Sequence, residues 1–175
     1  ETPATGTAFQ YFGSPLDGTF TQIIANPNAS GINTSSMVTQ YVKPAVAEVW
    51  AGAFSNPNPT TPVDLSNGGQ VCVKVHMDHI GNLALKLEAG LSGQPNWIQR
   101  VSNTKVGEWE ELCFDASLPS LETPFETASG AYGRVVVFFD FGTAGTGTDV
   151  ISYFDDVVVK SSGATQIRTV NFKVD

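Results

Sequence analysis

The sequence predicts an all-β fold, either a β-sandwich or a barrel. Runs of β-branched and aromatic residues recur along the 175-residue chain, separated by Gly, Pro and Asn residues that favour turns. Within these runs apolar and polar side chains alternate, as they do from Gln70 to Met77. No segment repeats apolar residues with the roughly 3.6-residue period of an amphipathic helix. Roughly ten short strands account for the pattern.

Two apolar segments near the end of the chain are the clearest strand candidates. Residues 134–141 read RVVVFFDF and residues 151–160 read ISYFDDVVVK, with a Gly- and Thr-rich connection that predicts a β-hairpin. The first run is apolar on both faces, which is typical of a central strand. In the second run, alternation places Asp155 on the face of Val157 and Val159. An inward carboxylate is costly unless it is paired or coordinated, so Asp155 is the first candidate functional residue.

The other strands follow the same alternation, and loops rich in Pro, Gly and Asn connect them. They are predicted at residues 9–12, 20–25, 38–42, 46–54, 70–77, 83–89, 97–101 and 109–115. We assign residues 9–160 to one domain. Residues 161–175 are a flexible spacer followed by one alternating run. That run is either an added edge strand or, as we favour, the first strand of a following module.

The charge pattern narrows the classes of partner. Net charge is −8, charged residues make up 15% of the chain, and no basic cluster is present, so nucleic acid and anionic membrane surfaces are not expected as partners. No apolar run approaches the roughly 20 residues of a membrane span, so membrane insertion is not expected either. Polarity comes mostly from Ser, Thr, Asn and Gly, as is common in extracellular β proteins. The chain starts with Glu1 rather than Met, so we expect a processed or excised piece.

The two cysteines lie in strand-like runs, Cys72 in VCVKV and Cys113 in ELCFD. Each points to the face opposite its apolar neighbours, so the two could meet as a disulfide if their strands are adjacent. Two half-buried free thiols are the alternative. A metal site built from two cysteines alone is not expected.

No catalytic motif is recognisable. His76, Asp78 and His79 lie together in HMDH, but residues three apart on an extended strand point to opposite faces, so the two histidines would not converge. The sequence contains no GxSxG motif, no zinc-binding motif and no phosphate-binding loop. We therefore predict that the chain is not an enzyme.

Three pieces of the sequence together resemble one family. They are NPNASGINTS at residues 26–35, the runs LALKLE and GEWEELCFD, and the closing VVVFFDFG with YFDDVVV. They are similar to carbohydrate-binding modules of the β-jelly-roll type, the group that includes families 4, 9 and 22 and that accompanies glycanases and glycan-capture proteins of polysaccharide-degrading bacteria. The resemblance covers residues 9–160. It implies a jelly roll of two antiparallel sheets, no catalysis, a structural calcium near the last strand, and sugar binding by aromatic residues.

On this resemblance, the calcium ligands would be Asp155 with Gln10, Asp17 and backbone carbonyls as companions. Family members often carry Phe-Glu in the first strand, whereas here Gln10 follows Phe9. An amide oxygen can still bind calcium, with less charge. The alternative is that backbone N–H groups at the start of the strand satisfy the Asp155 carboxylate.

The resemblance also directs attention to the tryptophans, because flat rings pack against the C–H faces of sugars. Trp50 shares its predicted strand face with Glu48 and Gly52 and is the preferred platform. Trp97 follows a Gly-Gln-Pro-Asn turn and is expected near a loop tip. Trp109 opens a strand, where capping of the core is the alternative.

A set of polar residues could supply hydrogen bonds to sugar hydroxyls. Alternation places them on the non-core side of their strands, and they would form one surface if those strands share a sheet. A solvated outer face with cross-strand ion pairs is the alternative. The candidate binding residues of this set are His76, Lys86, Glu88, Glu111 and Arg134, accompanied by Lys74 and Asp78.

The sequence therefore predicts a non-catalytic polysaccharide-binding module. It would belong to a larger, multimodular, secreted or cell-surface bacterial protein and lie beside other domains of the same chain. The alternative is a structural or adhesion β-sandwich that spaces other domains without binding a glycan. A polysaccharide lyase on the same fold comes third.

Overall fold

The computed structural model describes residues 9–15 and 19–161 and the backbone of residues 167–169. All regular elements in this part of the chain are strands. None of the described residues forms a helix that is long and apolar enough to cross a membrane. The strands are β1 (Phe9–Phe12), β2 (Thr21–Ala25), β3 (Met37–Lys43), β4 (Gly52–Ser55), β5 (Val63–Asp64), β6 (Gln70–His76), β7 (Asn82–Gly90), β8 (Trp97–Ser102), β9 (Trp109–Asp115), β10 (Ala131–Phe139), β11 (Val150–Lys160) and β12 (Ile167–Thr169).

The strands form two sheets that pack face to face. Sheet A has the order β1-β4-β10-β7-β8, with β5 beside β10. Sheet B has the order β2-β3-β11-β6-β9, with β12 beside β11. The pairs within both sheets are antiparallel. The predicted sandwich of two antiparallel sheets is confirmed.

The main core fills the space between the sheets. Phe9 of sheet A packs edge-on against Phe154 of sheet B, with ring centroids 4.8 Å apart. Tyr41 of sheet B lies 5.0 Å from Phe139 of sheet A, measured between ring centroids. All four rings are buried. Full burial of an aromatic ring such as Phe contributes about 1.5–3 kcal/mol to the free energy of folding, so these cross-sheet contacts hold the sandwich together.

The predicted hairpin between the last two long strands is wrong. β10 pairs with β4 and β7 in sheet A, whereas β11 pairs with β3 and β6 in sheet B, and residues 140–149 cross between the sheets. The prediction that β10 is a central strand is confirmed. Val135 and Val137 line the main core, while Val136 and Phe138 join a second apolar cluster on the outer side of sheet A. Because both edges of β10 are occupied, β11 cannot pair with it.

The run of residues 46–54 is not one strand, because β4 begins only at Gly52. The chain turns before that point, where the Ala51 N–H donates to the Glu48 carbonyl at 3.0 Å. Trp50 therefore lies in a turn that leads into β4. The prediction that it lies on a strand is wrong.

A β-bulge interrupts β11 where its two aspartates lie. The register with β6 shifts between Asp155 and Val158, and Asp156 has a φ of 46°. The bulge leaves Asp155 on the outer side of sheet B, opposite Lys74, while Val157 faces the core. The prediction that Asp155 shares a face with Val157 is wrong, because strict alternation holds only in a strand without a bulge.

Cys72 and Cys113 lie directly opposite each other on β6 and β9. They form a disulfide, with Cα atoms 4.0 Å apart. The bond lies on the outer side of sheet B, since the neighbouring valines and Phe114 belong to the main core. The disulfide prediction is confirmed, and the free-thiol alternative is wrong.

β12 extends an edge of β11. Ile167–Thr169 pairs with Val158–Lys160, beyond the segment of β11 that pairs with β3. This pairing corresponds to the edge strand that the sequence left as one alternative. The assignment of residues 161–175 to a linker and the start of another module stays a prediction.

Candidate functional site

The outer side of sheet A carries a group of neighbouring aromatic rings, which we call the aromatic face. In β1 and β4, Tyr11 and Ala53 occupy core positions, so alternation turns Phe12 and Phe54 outward. The end of β10 and the turn before β4 add three further rings. The aromatic face consists of Phe12, Trp50, Phe54, Phe138 and Phe141.

Phe12 joins the exposed and the buried parts of the aromatic face. Its ring stacks on Trp50, with centroids 6.1 Å apart and planes inclined by 18°. It meets Phe138 edge-on at 5.7 Å, and Phe138 lies 5.2 Å from Phe141. Trp50 is 51% exposed, whereas Phe138 is 6% exposed. The indole therefore stands in solvent beside an apolar floor.

Gly52 allows these rings to approach the sheet. It lies opposite Phe12 in the register between β1 and β4. A Cβ atom at this position would lie 2.6 Å from Cδ1 of Phe138 and 3.0 Å from Cζ of Phe12. A larger residue would displace both rings.

Charged side chains of β7 and β10 form a polar row beside the aromatic face. Lys86 Nζ lies 3.5 Å from Glu88 Oε1 and 2.9 Å from Glu122 Oε2. Arg134 Nη1 lies 3.8 Å from Glu88 Oε2, and its guanidinium lies 5.1 Å from the centroid of the Phe54 ring. These side chains are partly exposed, and such pairs contribute about 0–1 kcal/mol each. A ligand can therefore replace some of these ion pairs with its own hydrogen bonds at a small cost in free energy.

The predicted polar set does not form one surface. Lys86, Glu88 and Arg134 lie on the outer side of sheet A, whereas His76 and Glu111 lie on the outer side of sheet B. Alternation correctly gives the face of each strand. It does not give the sheet to which each strand belongs, and the condition for a single surface, that these strands share a sheet, is not met.

Trp109 and His76 lie side by side on sheet B, beneath the loop between β2 and β3, with ring centroids 5.5 Å apart. Trp109 Nε1 donates to the Asn28 carbonyl at 2.7 Å, and Asn28 Nδ2 lies 2.9 Å from His76 Nε2. Trp109 is 3% exposed. It holds the loop in place and offers no open ring face to a sugar.

Trp97 belongs to the main core and is 1% exposed. It begins β8 opposite Leu87, and its Nε1 donates to the Leu118 carbonyl at 3.0 Å. The prediction that Trp97 lies near a loop tip is wrong. Trp50 is thus the tryptophan that solvent reaches.

Asp155 is buried on the outer side of sheet B, beside Asn33 and Ser35. Its Oδ1 accepts a hydrogen bond from the backbone N–H of Asp156 at 2.9 Å. Among the described residues, its Oδ2 has no hydrogen-bond partner. Burial raises the pKa of Asp155, and the neighbouring Ser35 and Asn33 side chains only partly oppose that rise.

The predicted calcium ligands do not converge on Asp155. Gln10 is exposed on the outer side of sheet A, where its Oε1 accepts a hydrogen bond from Asn56 Nδ2 at 2.8 Å. The two sheets and the core separate it from Asp155 on sheet B. Gln10 is therefore wrong as a companion of Asp155, and Asp17 lies outside the described residues.

Sequence reasoning missed the four phenylalanines of the aromatic face. A signal was present, because alternation in FQYF and RVVVFFDF turns Phe12 and Phe138 away from the core. Outward apolar residues are also expected in any central strand, so alternation alone does not indicate a surface site at β10. The aromatic face depends on β1 and β4 lying beside β10, which the sequence pattern does not predict.

No family model matches the sequence, and no curated protein sequence matches it. Similar solved structures do exist. The structure of TmCBM61 in complex with beta-1,4-galactotriose matches with a TM-score of 0.53 and 15% identity, over 88% of this chain and 88% of that chain. A family 11 carbohydrate-binding module from Clostridium thermocellum, in complex with a beta-1,3-1,4-mixed-linked tetrasaccharide, matches with a TM-score of 0.53 and 8% identity. That match covers 93% of this chain and 94% of the module.

The chain has the β-sandwich fold of carbohydrate-binding modules. The structure of an exo-beta-agarase also matches, with a TM-score of 0.58 and 9% identity. The match covers 93% of this chain and 25% of the agarase chain. Identities this low show the fold alone, so a ligand has to be argued from the surface of this protein.

Proposed function

We propose that this chain is a non-catalytic module that binds a polysaccharide on the aromatic face of sheet A. The observation that carries the proposal is the half-exposed Trp50 ring, stacked on Phe12 and bordered by the polar row. A domain that only spaces its neighbours has no use for a solvent-exposed aromatic ring. In a binding module, a sugar ring can cover this apolar surface.

The two parts of this surface match the two kinds of group on a sugar. The C–H groups on one face of a pyranose pack against Trp50 and the apolar floor. The hydroxyls at its edge donate and accept hydrogen bonds, and Lys86, Arg134 and Glu88 offer both kinds of partner. These charged side chains already pair with one another. An uncharged polysaccharide can therefore replace some of their contacts and leave no charge unpaired.

The comparisons support this proposal. The structures of TmCBM61 and of the family 11 module hold short oligosaccharides, which supports a saccharide as the ligand here. The agarase match, which spans 25% of that chain, supports our inference that this module is attached to neighbouring domains. The Cys72–Cys113 disulfide supports a secreted or cell-surface location, because such bonds persist in oxidising compartments.

Calcium at Asp155 remains part of the proposal. The buried Asp155 Oδ2, which lacks a partner among the described residues, supports a cation. The neighbouring Asn33 adds no free oxygen, because its Oδ1 accepts the Ser35 N–H at 3.1 Å. The donor set fits only in part, because calcium takes about six to eight oxygens. The Asp156 N–H that donates to Oδ1 supports the hydrogen-bonded alternative.

Affinity electrophoresis against soluble polysaccharides, including β-1,4-galactan and mixed-linked β-1,3-1,4-glucan, tests the function. Trp50→Ala should weaken binding by about 1–3 kcal/mol, because it removes the exposed platform. Its melting temperature should stay close to that of the wild type, since Trp50 is 51% exposed. The matched control is Ile151→Ala, which shortens a 42% exposed side chain on β11 of sheet B and should leave binding unchanged.

Two outcomes would contradict this proposal. Wild-type affinity in Trp50→Ala would place the site away from the aromatic face. Failure of the wild type to bind any polysaccharide would favour the spacer alternative.

A further inference from the structure

His79 lies in the loop between β6 and β7, with a carboxylate against each of its ring nitrogens. Its Nδ1 lies 2.7 Å from Oδ1 of Asp78, in the same loop. Its Nε2 lies 3.0 Å from Oδ2 and 3.1 Å from Oδ1 of Asp140, which follows β10. The imidazole therefore links two loops that are far apart in the sequence.

This geometry requires a doubly protonated ring. A neutral imidazole has one N–H donor, and an ionised carboxylate only accepts hydrogen bonds. Both contacts of His79 are therefore satisfied only when the ring is an imidazolium. Partial burial lowers the pKa of His79, but the hydrogen bonds with Asp78 and Asp140 outweigh burial and raise that pKa overall.

Asp140 connects this histidine to the aromatic face. The backbone N–H of Asp140 donates to the Asn82 carbonyl at 2.8 Å, and the next residue, Phe141, donates its N–H to Asn82 Oδ1 at 3.1 Å. The Phe141 ring then packs 5.2 Å from Phe138. A shift of Asp140 would therefore move one ring of the aromatic face.

The side chain and the backbone of Asp140 are tightly packed and have little room to move. An added Cβ on Gly81 would lie 2.1 Å from Asp140 Oδ1 and 2.9 Å from His79 Nε2. Asp140 itself has a φ of 49°, a conformation that non-glycine residues rarely adopt. Such a residue stays in place only when its surroundings hold it.

We propose that the His79 imidazolium is a clasp that positions Phe141 in the aromatic face, so that glycan binding is stronger when His79 is protonated. This inference rests on the proposed function. His79 does not belong to the aromatic face, and it acts as a positioning residue through Asp140. The clasp is complete at low pH and is lost as pH rises through the raised pKa of His79.

The charged groups that surround His79 and Asp140 come from three elements. Asp78 lies on the β6–β7 loop, and Asp149 lines the same cavity of about 560 Å³ from the β10–β11 connection. Lys43 of β3 donates its Nζ to the backbone carbonyls of Phe139 and Asp140, at 3.0 and 2.8 Å. Burial lowers the pKa of Lys43, and the nearby Asp140 carboxylate partly opposes that change.

The test combines glycan binding with NMR of the free protein. Wild type, His79→Asn and the matched control His76→Asn are titrated with β-1,4-galactan and mixed-linked β-1,3-1,4-glucan from about pH 5.5 to about pH 9. Wild-type affinity should fall about fivefold or more across this range, and His76→Asn should behave in the same way. His79→Asn should bind with a pH-independent affinity near the wild-type value at high pH.

A double-mutant cycle checks the route through Phe141. In a Phe141→Ala background, His79→Asn should have no further effect on affinity. In the free wild type, the Phe141 ring protons should shift with the same midpoint as the His79 ring, and this response should be absent in His79→Asn.

The inference fails if His79→Asn keeps the wild-type pH dependence of binding. It also fails if the Phe141 ring does not respond when His79 titrates, a measurement that needs no glycan. Failure of the wild type to bind either polysaccharide at any pH would instead count against the proposed function.

Discussion

Two neighbouring residues shape the aromatic face in opposite ways. Trp50 adds an exposed ring at the turn before β4, and its contact with Phe12 holds that ring in a fixed orientation. Gly52, two residues later, contributes by having no side chain, since Phe12 and Phe138 occupy the space that a Cβ atom would fill. The aromatic face thus depends on the large side chain of Trp50 and on the lack of a side chain at Gly52.

Gly52→Ala should therefore damage both the aromatic face and the fold. Its Cβ would meet Phe138 Cδ1 at 2.6 Å and the Val137 carbonyl oxygen at 2.7 Å, and a backbone atom of a central strand cannot move aside cheaply. Overpacking of this kind costs about 1–3 kcal/mol. Urea denaturation should show this loss of stability, and affinity electrophoresis should show weaker glycan binding.

Gly133→Ala is the matched control on the same sheet. A Cβ at Gly133 would meet its nearest atom, the Ala89 carbonyl oxygen, at 3.4 Å, which is an ordinary contact. This variant should keep the wild-type stability and affinity. If Gly52→Ala were as stable as Gly133→Ala, the close packing of Phe12 and Phe138 over β4 would be refuted.

At the scale of strands, alternation predicted which side of each strand faces the core, but not which strands are neighbours. It correctly placed Cys72 and Cys113 on the non-core side of their strands. It could not show that the polar set is divided between two surfaces, because β6 and β9 belong to sheet B and β7 and β10 to sheet A. Alternation is a local property of a few residues, whereas pairing depends on contacts that are distant in the chain. The bulge at Asp155 was invisible for the same reason.

The disulfide between β6 and β9 should contribute measurably to stability. Cys72 and Cys113 are separated by 41 residues. Closing a loop of that length lowers the conformational entropy of the unfolded chain and raises its free energy by about 4 kcal/mol. The double variant Cys72→Ala/Cys113→Ala should lose stability of this order in urea denaturation. Reductant should destabilise the wild type and leave the double variant unaffected. Equal stability of the oxidised and reduced wild type would show that the cross-link does not constrain the unfolded chain.

At the scale of the molecule, the two outer surfaces of the sandwich differ. On sheet B, Asn28 of the β2–β3 loop contacts both Trp109 and His76, so this loop covers the aromatic side chains. On sheet A, Trp50 and the polar row stay open to solvent. The covered surface suits structural stabilisation, and the open surface suits a ligand.

Calcium at Asp155 would stabilise the whole domain by mass action, because an ion that binds only the folded state shifts the unfolding equilibrium. For a sample shown to be metal-loaded, chelation should then lower the melting temperature of the wild type. Asp155→Asn should melt at the same temperature with and without chelator. Asp115→Asn, which changes a partly exposed residue whose carboxylate accepts a hydrogen bond from the Ser117 N–H, should keep the wild-type response.

The hydrogen-bonded alternative predicts a different order of stabilities. Burial raises the pKa of Asp155, so the folded state disfavours its charged form. Near neutral pH a carboxylate whose Oδ1 is hydrogen-bonded, but whose Oδ2 has no partner among the described residues, therefore opposes folding. Without calcium, Asp155→Asn should therefore be at least as stable as the wild type, and the wild type should gain stability as pH falls toward the raised pKa of Asp155. With calcium, Asp155→Asn should be the less stable protein. A wild type that ignores chelator and gains stability on acidification would leave backbone hydrogen bonding as the role of Asp155.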